Sequence, residues 1–137
     1  MDTVYIDSNI FLNPLLYSLE EIEAAKKCAI FLEDIIQKKI KAITSTLTWD
    51  EVIWILKKTL GKAAAEQKGK EFLVFPNLSF KKISHSTINR AQKLLSKYNL
   101  RPRDLIHVAC ALENQVHIIY SLDADFDTIT EIKRKTP

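Results

Sequence analysis

The sequence predicts an α/β fold with a short, mostly parallel sheet of four to five strands covered by helices. Short apolar runs typical of buried strands alternate with longer amphipathic segments typical of helices. Nothing between the predicted strands resembles a hairpin turn, so helices must connect them. The 137 residues include only two glycines, which disfavours a loop-rich or β-sandwich fold.

The first half of the chain begins with a short buried strand over residues 3–6, and an apolar helix interrupted by Pro14 follows over 10–16. A long amphipathic helix is predicted over 19–39, then a strand over 42–45 and a helix over 47–60 that ends at Gly61. The 3.6-residue period of apolar residues predicts the inward faces of the two long helices. These faces are Ile22, Ala25, Ala29, Leu32 and Ile36 in one, and Trp49, Val52, Ile53, Leu56 and Leu60 in the other.

The second half begins with a weaker helix over 62–75, because Gly69 lies inside it, and Pro76 ends it. A strand over 78–83 and two helices over 87–98 and from Pro102 to about 114 follow. Residues Ile88, Ala91, Leu94 and Leu95 are predicted to face inward in the first of these helices. The clearest buried strand is 117–122, and 129–135 is a candidate edge strand. With no linker and no repeat, residues 1–137 are expected to form a single domain.

Composition sets broad limits on function. Hydrophobic residues make up 47% and charged residues 27%, which is ordinary for a folded soluble protein. The net charge of +3 is compatible with a polyanionic partner. Cys28 and Cys110 lie in apolar helical patterns, so we expect buried, unpaired thiols and a reducing, cytoplasmic location. No apolar run approaches the roughly 20 residues of a membrane span, so no membrane partner is expected.

Four acidic residues lie next to predicted strand ends or in the first turns of predicted helices. They are Asp7, Glu51, Asp104 and Asp123. Asp7 and Asp123 each follow a buried strand, and the carboxyl ends of parallel strands form the usual ligand edge of such sheets. Carboxylates gathered in a largely apolar setting need a counter-charge, and all-oxygen ligation favours Mg²⁺ or Mn²⁺. The sequence therefore predicts a metal-dependent enzyme.

Each of these acids also has a purely structural interpretation. Asp7 is a good helix N-cap, and Asp104, just after Pro102, suits the positive end of a helix dipole. Glu51 fits a capping box with Thr48, unless the helix begins two or three residues earlier. In that case Glu51 lies one turn inside the helix beside its apolar face. The residue types alone leave these alternatives open.

The segment Asp123-Ala124-Asp125-Phe126-Asp127 superficially begins a calcium-binding loop. Position six of such a loop would be Thr128 rather than glycine, and position twelve would be Arg134 rather than glutamate, which excludes an EF-hand. At least one of the three carboxylates is still expected to face the site. The chain also lacks a nucleophile elbow and a glycine-rich phosphate loop. His107 is expected to be a buried, hydrogen-bonded core residue rather than a metal ligand.

The order of these motifs resembles that of the PIN-domain nucleases, especially the small VapC-type toxins of toxin–antitoxin pairs. The resembling segments are residues 5–11, Glu51 in an apolar helix after a short strand, 103–112 and 120–126. The resemblance implies a PIN-like three-layer α/β/α fold over essentially the whole chain. It also implies catalytic and metal-binding roles for the four acids, with Asn9 and Ser121 as supporting polar residues and Asp125 and Asp127 as additional acids.

By this resemblance the protein is a Mg²⁺- or Mn²⁺-dependent endoribonuclease that hydrolyses RNA phosphodiester bonds, leaving a 3′-hydroxyl and a 5′-phosphate. We expect Arg101 and Arg103, which flank Asp104, to contact the RNA backbone. Family members commonly dimerise and are inhibited by an antitoxin, so a homodimer and an antitoxin partner are expected here.

Two other functions stay open at this point. One is a PIN-domain nuclease of RNA processing or decay that has no antitoxin. The other is a non-enzymatic receiver-like or binding domain. A receiver would need paired acids after the first strand and an aspartate at the end of a middle strand. The first-strand motif Asp7-Ser8-Asn9 has one acid, and no aspartate ends the strand at 42–45.

Overall fold

The computed structural model describes residues 1–137 as five strands, six α-helices and one 3₁₀ helix over Ala124–Thr128. The strands are β1 (Thr3–Ile6), β2 (Lys41–Ser45), β3 (Leu78–Lys81), β4 (Ile118–Tyr120) and β5 (Lys133–Lys135). The helices are α1 (Ser8–Leu16), α2 (Glu23–Ile36), α3 (Thr46–Leu60), α4 (Lys62–Leu73), α5 (His85–Leu95) and α6 (Pro102–Glu113).

The five strands form one fully parallel sheet in the order β3-β2-β1-β4-β5. The chain runs outward from β1 through β2 to β3, then returns to the other side of β1 for β4 and β5. The side on which the chain adds strands therefore changes between β1 and β4. Ligand sites in open parallel sheets form at such a switch point. In receiver-like domains β1 lies between β2 and β3, so this topology does not support the receiver alternative.

Helices cover both faces of the sheet, which confirms the predicted three-layer α/β/α fold. Along β1 the side chains alternate between the two faces. Val4 and Ile6 pack in a core with α1 to α4. Tyr5 points to the opposite face and packs in the core that contains α5 and α6. The first strand is thus buried on both sides, as its apolar sequence predicted.

The inward face of α2 differs from the predicted one. The helix begins at Glu23 instead of residue 19 and buries Ala25, Cys28, Phe31 and Ile35, whereas Ile22 and Ile36 are exposed. Neighbouring stripes on a helix share the same 3.6-residue period, so periodicity alone does not choose between them. Phe31 stacks on Tyr120 of β4, with 4.2 Å between ring centroids, and this contact favours the stripe that includes Phe31.

In α3 and α5 the predicted inward faces are partly confirmed, because Val52 and Leu56 in α3 and Ala91 and Leu94 in α5 are buried as predicted. The buried residues are Thr48, Val52 and Leu56 in α3, and Thr87, Ala91 and Leu94 in α5. Trp49, Leu60, Ile88 and Leu95, which were predicted to face inward, are exposed. In addition, Pro14 does not interrupt α1, which continues to Leu16.

Both cysteines are buried and unpaired, as predicted. Burial raises the pKa of the Cys28 and Cys110 thiols to about 11, so both stay protonated near neutral pH. No helix in the structure is both long and apolar enough to cross a bilayer.

Gly61 joins α3 to α4 in a backbone conformation that other residues rarely adopt, with φ 95° and ψ 172°. We expect Gly61→Ala to lower the free energy of unfolding by about 1–3 kcal/mol, because the strain of this region is relieved only in glycine. Urea unfolding measures the change. The control is Lys62→Ala at the exposed start of α4, which should change stability by less than about 0.5 kcal/mol. Equal effects of the two substitutions would contradict the role of Gly61.

Candidate functional site

The carboxylate of Asp7 lies at the carboxyl end of β1 and is only 6% exposed. As the N-cap of α1 it accepts a hydrogen bond from the Ser8 amide to Oδ1 at 2.7 Å. Its Oδ2 accepts the Ser121 hydroxyl at 2.6 Å and the Asn9 side-chain amide at 3.3 Å. The capping role and a place in the site are therefore compatible, because the cap uses only one of the two oxygens.

Asn9 and Ser121 join the ends of β1 and β4. The Asn9 amide nitrogen donates to the Ser121 hydroxyl at 3.2 Å, and its oxygen accepts the Leu122 amide at 3.2 Å. The Ser121 hydroxyl also accepts the Asp123 amide at 3.0 Å. These bonds fix the loop after β4, which carries Asp123, relative to Asp7. The supporting role of Asn9 and Ser121 in a functional site stays a prediction.

Glu51 lies one turn inside α3, because the helix begins at Thr46. No capping box forms, since the Thr48 hydroxyl is hydrogen-bonded instead to the Thr44 hydroxyl at 2.7 Å. The Glu51 carboxylate contacts Nε2 of His107 at 2.5 Å. Burial raises the pKa of Glu51, but the hydrogen bond and charge of His107 outweigh it and lower the pKa below its ordinary value.

His107 is fully buried on α6 and hydrogen-bonded at both ring nitrogens, as the sequence predicted. Its Nδ1 lies 2.6 Å from the Tyr5 hydroxyl, and its Nε2 lies 2.5 Å from Glu51 and 3.6 Å from an oxygen of Asp7. The Tyr5 hydroxyl donates its one proton to Ser45 at 2.8 Å, so Nδ1 must donate to Tyr5. With an ionised Glu51, Nε2 donates as well, and the ring is an imidazolium.

The charge of His107 follows from its surroundings. Burial lowers the pKa of the imidazole, but the hydrogen bond that its Nε2 donates to Glu51 and the nearby negative charges of Asp7, Glu51 and Asp104 raise it above its ordinary value. The buried ring is thus an internal cation for the acids around it. The contact between His107 and Glu51 was not predicted from the sequence. The i, i+3 spacing of Asp104 and His107 indicates only that these two residues lie on one face of α6.

Asp104 is buried in the first turn of α6, where Pro102 provides the rigid start of the helix. The Arg101 guanidinium donates to Asp104 at 3.2 Å through Nε and to Asp123 at 3.2 Å through Nη2. Burial raises the pKa of Asp104, and the charges of Asp7 and Asp123 add to this, so the pair with Arg101 does not restore the ordinary value. Arg101 therefore only partly compensates the negative charge around the Asp104 carboxylate.

The acids fall into two groups, in each of which the possible ligand atoms lie within 4.8 Å of one another. The first group contains Asp7, Glu51 and His107, and the second contains Asp104, Asp123 and Asp125. The second group offers only carboxylate oxygens, which fits a hard divalent cation. In the first group both nitrogens of the histidine are already hydrogen-bonded, so only its carboxylates are available to an ion.

The two remaining predicted acids behave differently. Asp125 contributes to the second group. Asp127 belongs to neither group, because both of its oxygens accept hydrogen bonds from the Arg134 guanidinium, at 2.8 and 3.0 Å. Arg134 also donates to the Ser121 carbonyl at 3.1 Å, so this pair supports the loop from outside the acidic groups.

A cleft of about 380 Å³ opens beside the acids. Its walls are Glu51, Arg101, Pro102, Arg103 and Asp104. Arg103 forms a salt bridge with Asp50 at 3.2 Å across the cleft, from α6 to α3. Two arginines and two carboxylates therefore face one opening. The guanidinium groups suit the oxygens of a phosphate-containing ligand, and the carboxylates suit a metal ion beside it.

The chain belongs to the PIN-domain family, because the family's sequence profile, described as PIN domain, matches residues 4–132. This matches the family that the four motifs resembled. Among curated protein sequences, none is significantly similar to the chain.

Solved structures with the same fold include several toxin proteins. A toxin–antitoxin complex from Klebsiella pneumoniae is 21% identical, with a TM-score of 0.66 and coverage of 94% of both chains. VapC20 of Mycobacterium tuberculosis, described as a sarcin-ricin loop cleaving toxin, is 13% identical, with a TM-score of 0.70 and coverage of 91% of this chain and 93% of that one. VapBC2 of Rickettsia felis, bound to a promoter DNA fragment, is 15% identical, with a TM-score of 0.73 and 98% coverage of both.

The buried Tyr5 hydroxyl is predicted to stabilise the fold through its two hydrogen bonds. Tyr5→Phe leaves Nδ1 of His107 and the hydroxyl of Ser45 without that partner, which should cost about 1–3 kcal/mol of unfolding free energy. The matched control is Tyr17→Phe, since the Tyr17 side chain is 53% exposed and should change stability little. Denaturant unfolding of both variants tests this, and equal stability of the two would contradict the network.

Proposed function

We propose that this protein is a metal-dependent endoribonuclease that hydrolyses RNA phosphodiester bonds and is the toxin of a type II toxin–antitoxin pair. The observation that carries the proposal is the convergence of Asp7, Glu51, Asp104 and Asp123 at the point between β1 and β4 where the strand order of a PIN-domain sheet changes side. A buried cluster of carboxylates facing an arginine-lined cleft suits the chemistry of a phosphodiester.

The group formed by Asp104, Asp123 and Asp125 would hold Mg²⁺ or Mn²⁺, with Asp7 and Glu51 completing the acidic site. Its donor set supports this assignment, because three carboxylates have one guanidinium between them. Bound there, a divalent ion would supply positive charge against the phosphodiester oxygens and activate water for attack on phosphorus.

The protein's own residues then have separate tasks. Glu51 lines the cleft, and its hydrogen bond with His107 fixes its orientation, so it is placed to hold the attacking water and accept its proton. Asn9 and Ser121 hold Asp7 in place. Arg101 and Arg103 lie at the cleft and supply guanidinium groups for the RNA backbone.

The toxin assignment rests on the kind of protein that shares this fold. Several structures similar to this chain are toxin–antitoxin complexes, and one structural neighbour is described as a sarcin-ricin loop cleaving toxin. By analogy we propose an antitoxin protein as partner. The homodimer expected from the sequence remains a prediction.

Asp7→Asn and Asp104→Asn should each lower metal-stimulated RNA cleavage by more than about 100-fold. Mutation of residues that only hydrogen-bond to metal ligands typically lowers metal affinity or activity 10- to 100-fold. Asp7 and Asp104 are assigned to the site itself, so their loss should be larger. Cleavage of total RNA with and without Mn²⁺ measures the loss, and circular dichroism checks the fold.

The matched control for this experiment is Asp127→Asn. It makes the same chemical change in a carboxylate that is paired with Arg134 outside both acidic groups. Its cleavage rate should stay within about three-fold of the parent's. Full activity in both site variants, or an equal loss in the control, would rule out the proposed site.

Mn²⁺ should raise the melting temperature of the protein, because it binds the folded site and relieves repulsion among the carboxylates. At 100 times its dissociation constant the gain is about 2.7 kcal/mol, or roughly 5–15 °C for a chain of this size. Asp104→Asn should lose most of this shift. A shift in the variant as large as the parent's would mean that the ion binds elsewhere.

A further inference from the structure

One flexible guanidinium bridges two of the acids in the second group. Arg101 contacts Asp104 through Nε and Asp123 through Nη2, each at 3.2 Å. Its side chain is 73% exposed, whereas that of Asp104 is 7% exposed. The cation therefore approaches from the solvent side and covers carboxylates that are fixed by the fold.

Arg101 contacts one oxygen of each of two acids in this group, Oδ2 of Asp104 and Oδ2 of Asp123. Oδ1 of Asp123 already accepts the Asp125 amide at 2.9 Å, and the guanidinium contacts the other oxygen, Oδ2. The group carries three carboxylates and one guanidinium, so it keeps a net formal charge of −2. A divalent cation is favoured there by charge, and one that binds Asp104 and Asp123 through Oδ2 competes with Arg101 for those oxygens.

We propose that Arg101 is an exchangeable counter-ion of the metal site: its guanidinium neutralises Asp104 and Asp123 until a divalent cation binds them, and the released guanidinium then binds a phosphate of the RNA. This inference rests on the proposed nuclease function and assigns a positioning and substrate-binding role to one residue. It couples the two binding events through a side chain that has two alternative partners.

The exchange keeps the buried Asp104 neutralised, because the divalent cation replaces the guanidinium on the same carboxylate. Salt bridges of solvent-exposed arginines are weak, because water and salt screen them and the long side chain loses freedom when it is held. A guanidinium also matches the geometry of phosphate oxygens with two parallel hydrogen bonds. Arg101 already lines the cleft, so its side chain needs only to rotate from the acids toward the phosphate backbone of a bound RNA. Metal and RNA should consequently strengthen each other's binding.

The first test measures Mn²⁺ affinity without RNA by isothermal titration calorimetry. Arg101→Gln removes the competing cation and should bind Mn²⁺ roughly three- to ten-fold more tightly than the parent. The matched control is Arg103→Gln, which removes the same charge from the same cleft. Arg103 is similarly exposed at 57% but pairs with Asp50 instead of the acidic group, so its effect should stay under about two-fold.

Two results of this titration would overturn the proposal. One is unchanged or weaker Mn²⁺ binding in Arg101→Gln. The other is equal tightening in both arginine variants, which would mean a general effect of cleft charge. If the parent protein binds no Mn²⁺ at all, the metal site of the proposed function fails and the exchange fails with it. A parent that binds Mn²⁺ while Arg101→Gln does not tighten leaves the proposed function standing and rejects only the exchange.

The second test measures RNA affinity by fluorescence anisotropy in a Glu51→Gln background, which leaves Asp104, Asp123 and Asp125 intact while removing the group assigned to hold water. Adding Arg101→Gln should weaken RNA binding roughly five-fold or more with saturating Mn²⁺ and change it by less than about two-fold without Mn²⁺. Equal losses in both conditions would mean that Arg101 contacts RNA without exchanging, and would overturn the proposal.

Discussion

The burial of one carboxylate, Asp7, at the junction of β1 and β4 is the constraint around which the site is built. A buried charge is tolerated only when its oxygens are satisfied by hydrogen bonds. Its donors come from the start of α1 and from Ser121 at the end of β4. They meet only because β1 and β4 are parallel neighbours, at the place where the order of the sheet reverses. The same topology therefore satisfies Asp7 and brings Asp123 beside Asp104.

Negative charge at this edge of the sheet is balanced in two different ways. In the first group a buried imidazolium, His107, lies between Glu51 and Asp7 and is held from behind by Tyr5. In the second group an exposed guanidinium, that of Arg101, covers the acids from solvent. Removing the internal cation would leave charges uncompensated in the core, which is costly, whereas another cation can take the place of the external one from solvent.

The sequence was most informative where a residue type admits few structures. The first strand was predicted with its observed bounds, and the helix starting at Pro102 and the end of α3 at Gly61 were also predicted correctly. The inward helix faces were less accurate, because two neighbouring apolar stripes share one period. Phe31 was placed inside by its contact with Tyr120, across the fold. No local pattern contains that information.

The candidate site shows the same division. The four acids were predicted from their places beside strand ends and helix starts, and the supporting roles of Asn9 and Ser121 were predicted from the family resemblance. The sequence did not predict which charged side chains pair with one another, because those pairs join residues on different elements of the fold. Asp125 and Asp127 are two residues apart and chemically identical, yet only Asp125 contributes to an acidic group. Arg134, seven residues after Asp127 and on another element, decides this by taking the Asp127 carboxylate.

The two modes of charge balance differ in how easily they can change when a ligand binds. Tyr5 and His107 are buried and Glu51 is half-buried, and their hydrogen bonds orient Glu51 in the structure without any ligand. The Arg101 side chain is 73% exposed, but its partner Asp104 is buried, so another cation has to take its place when it leaves. Under the proposed exchange, the site has one fixed half and one exchangeable half. The fixed half would position water for attack, and the exchangeable half would admit the ion and the substrate.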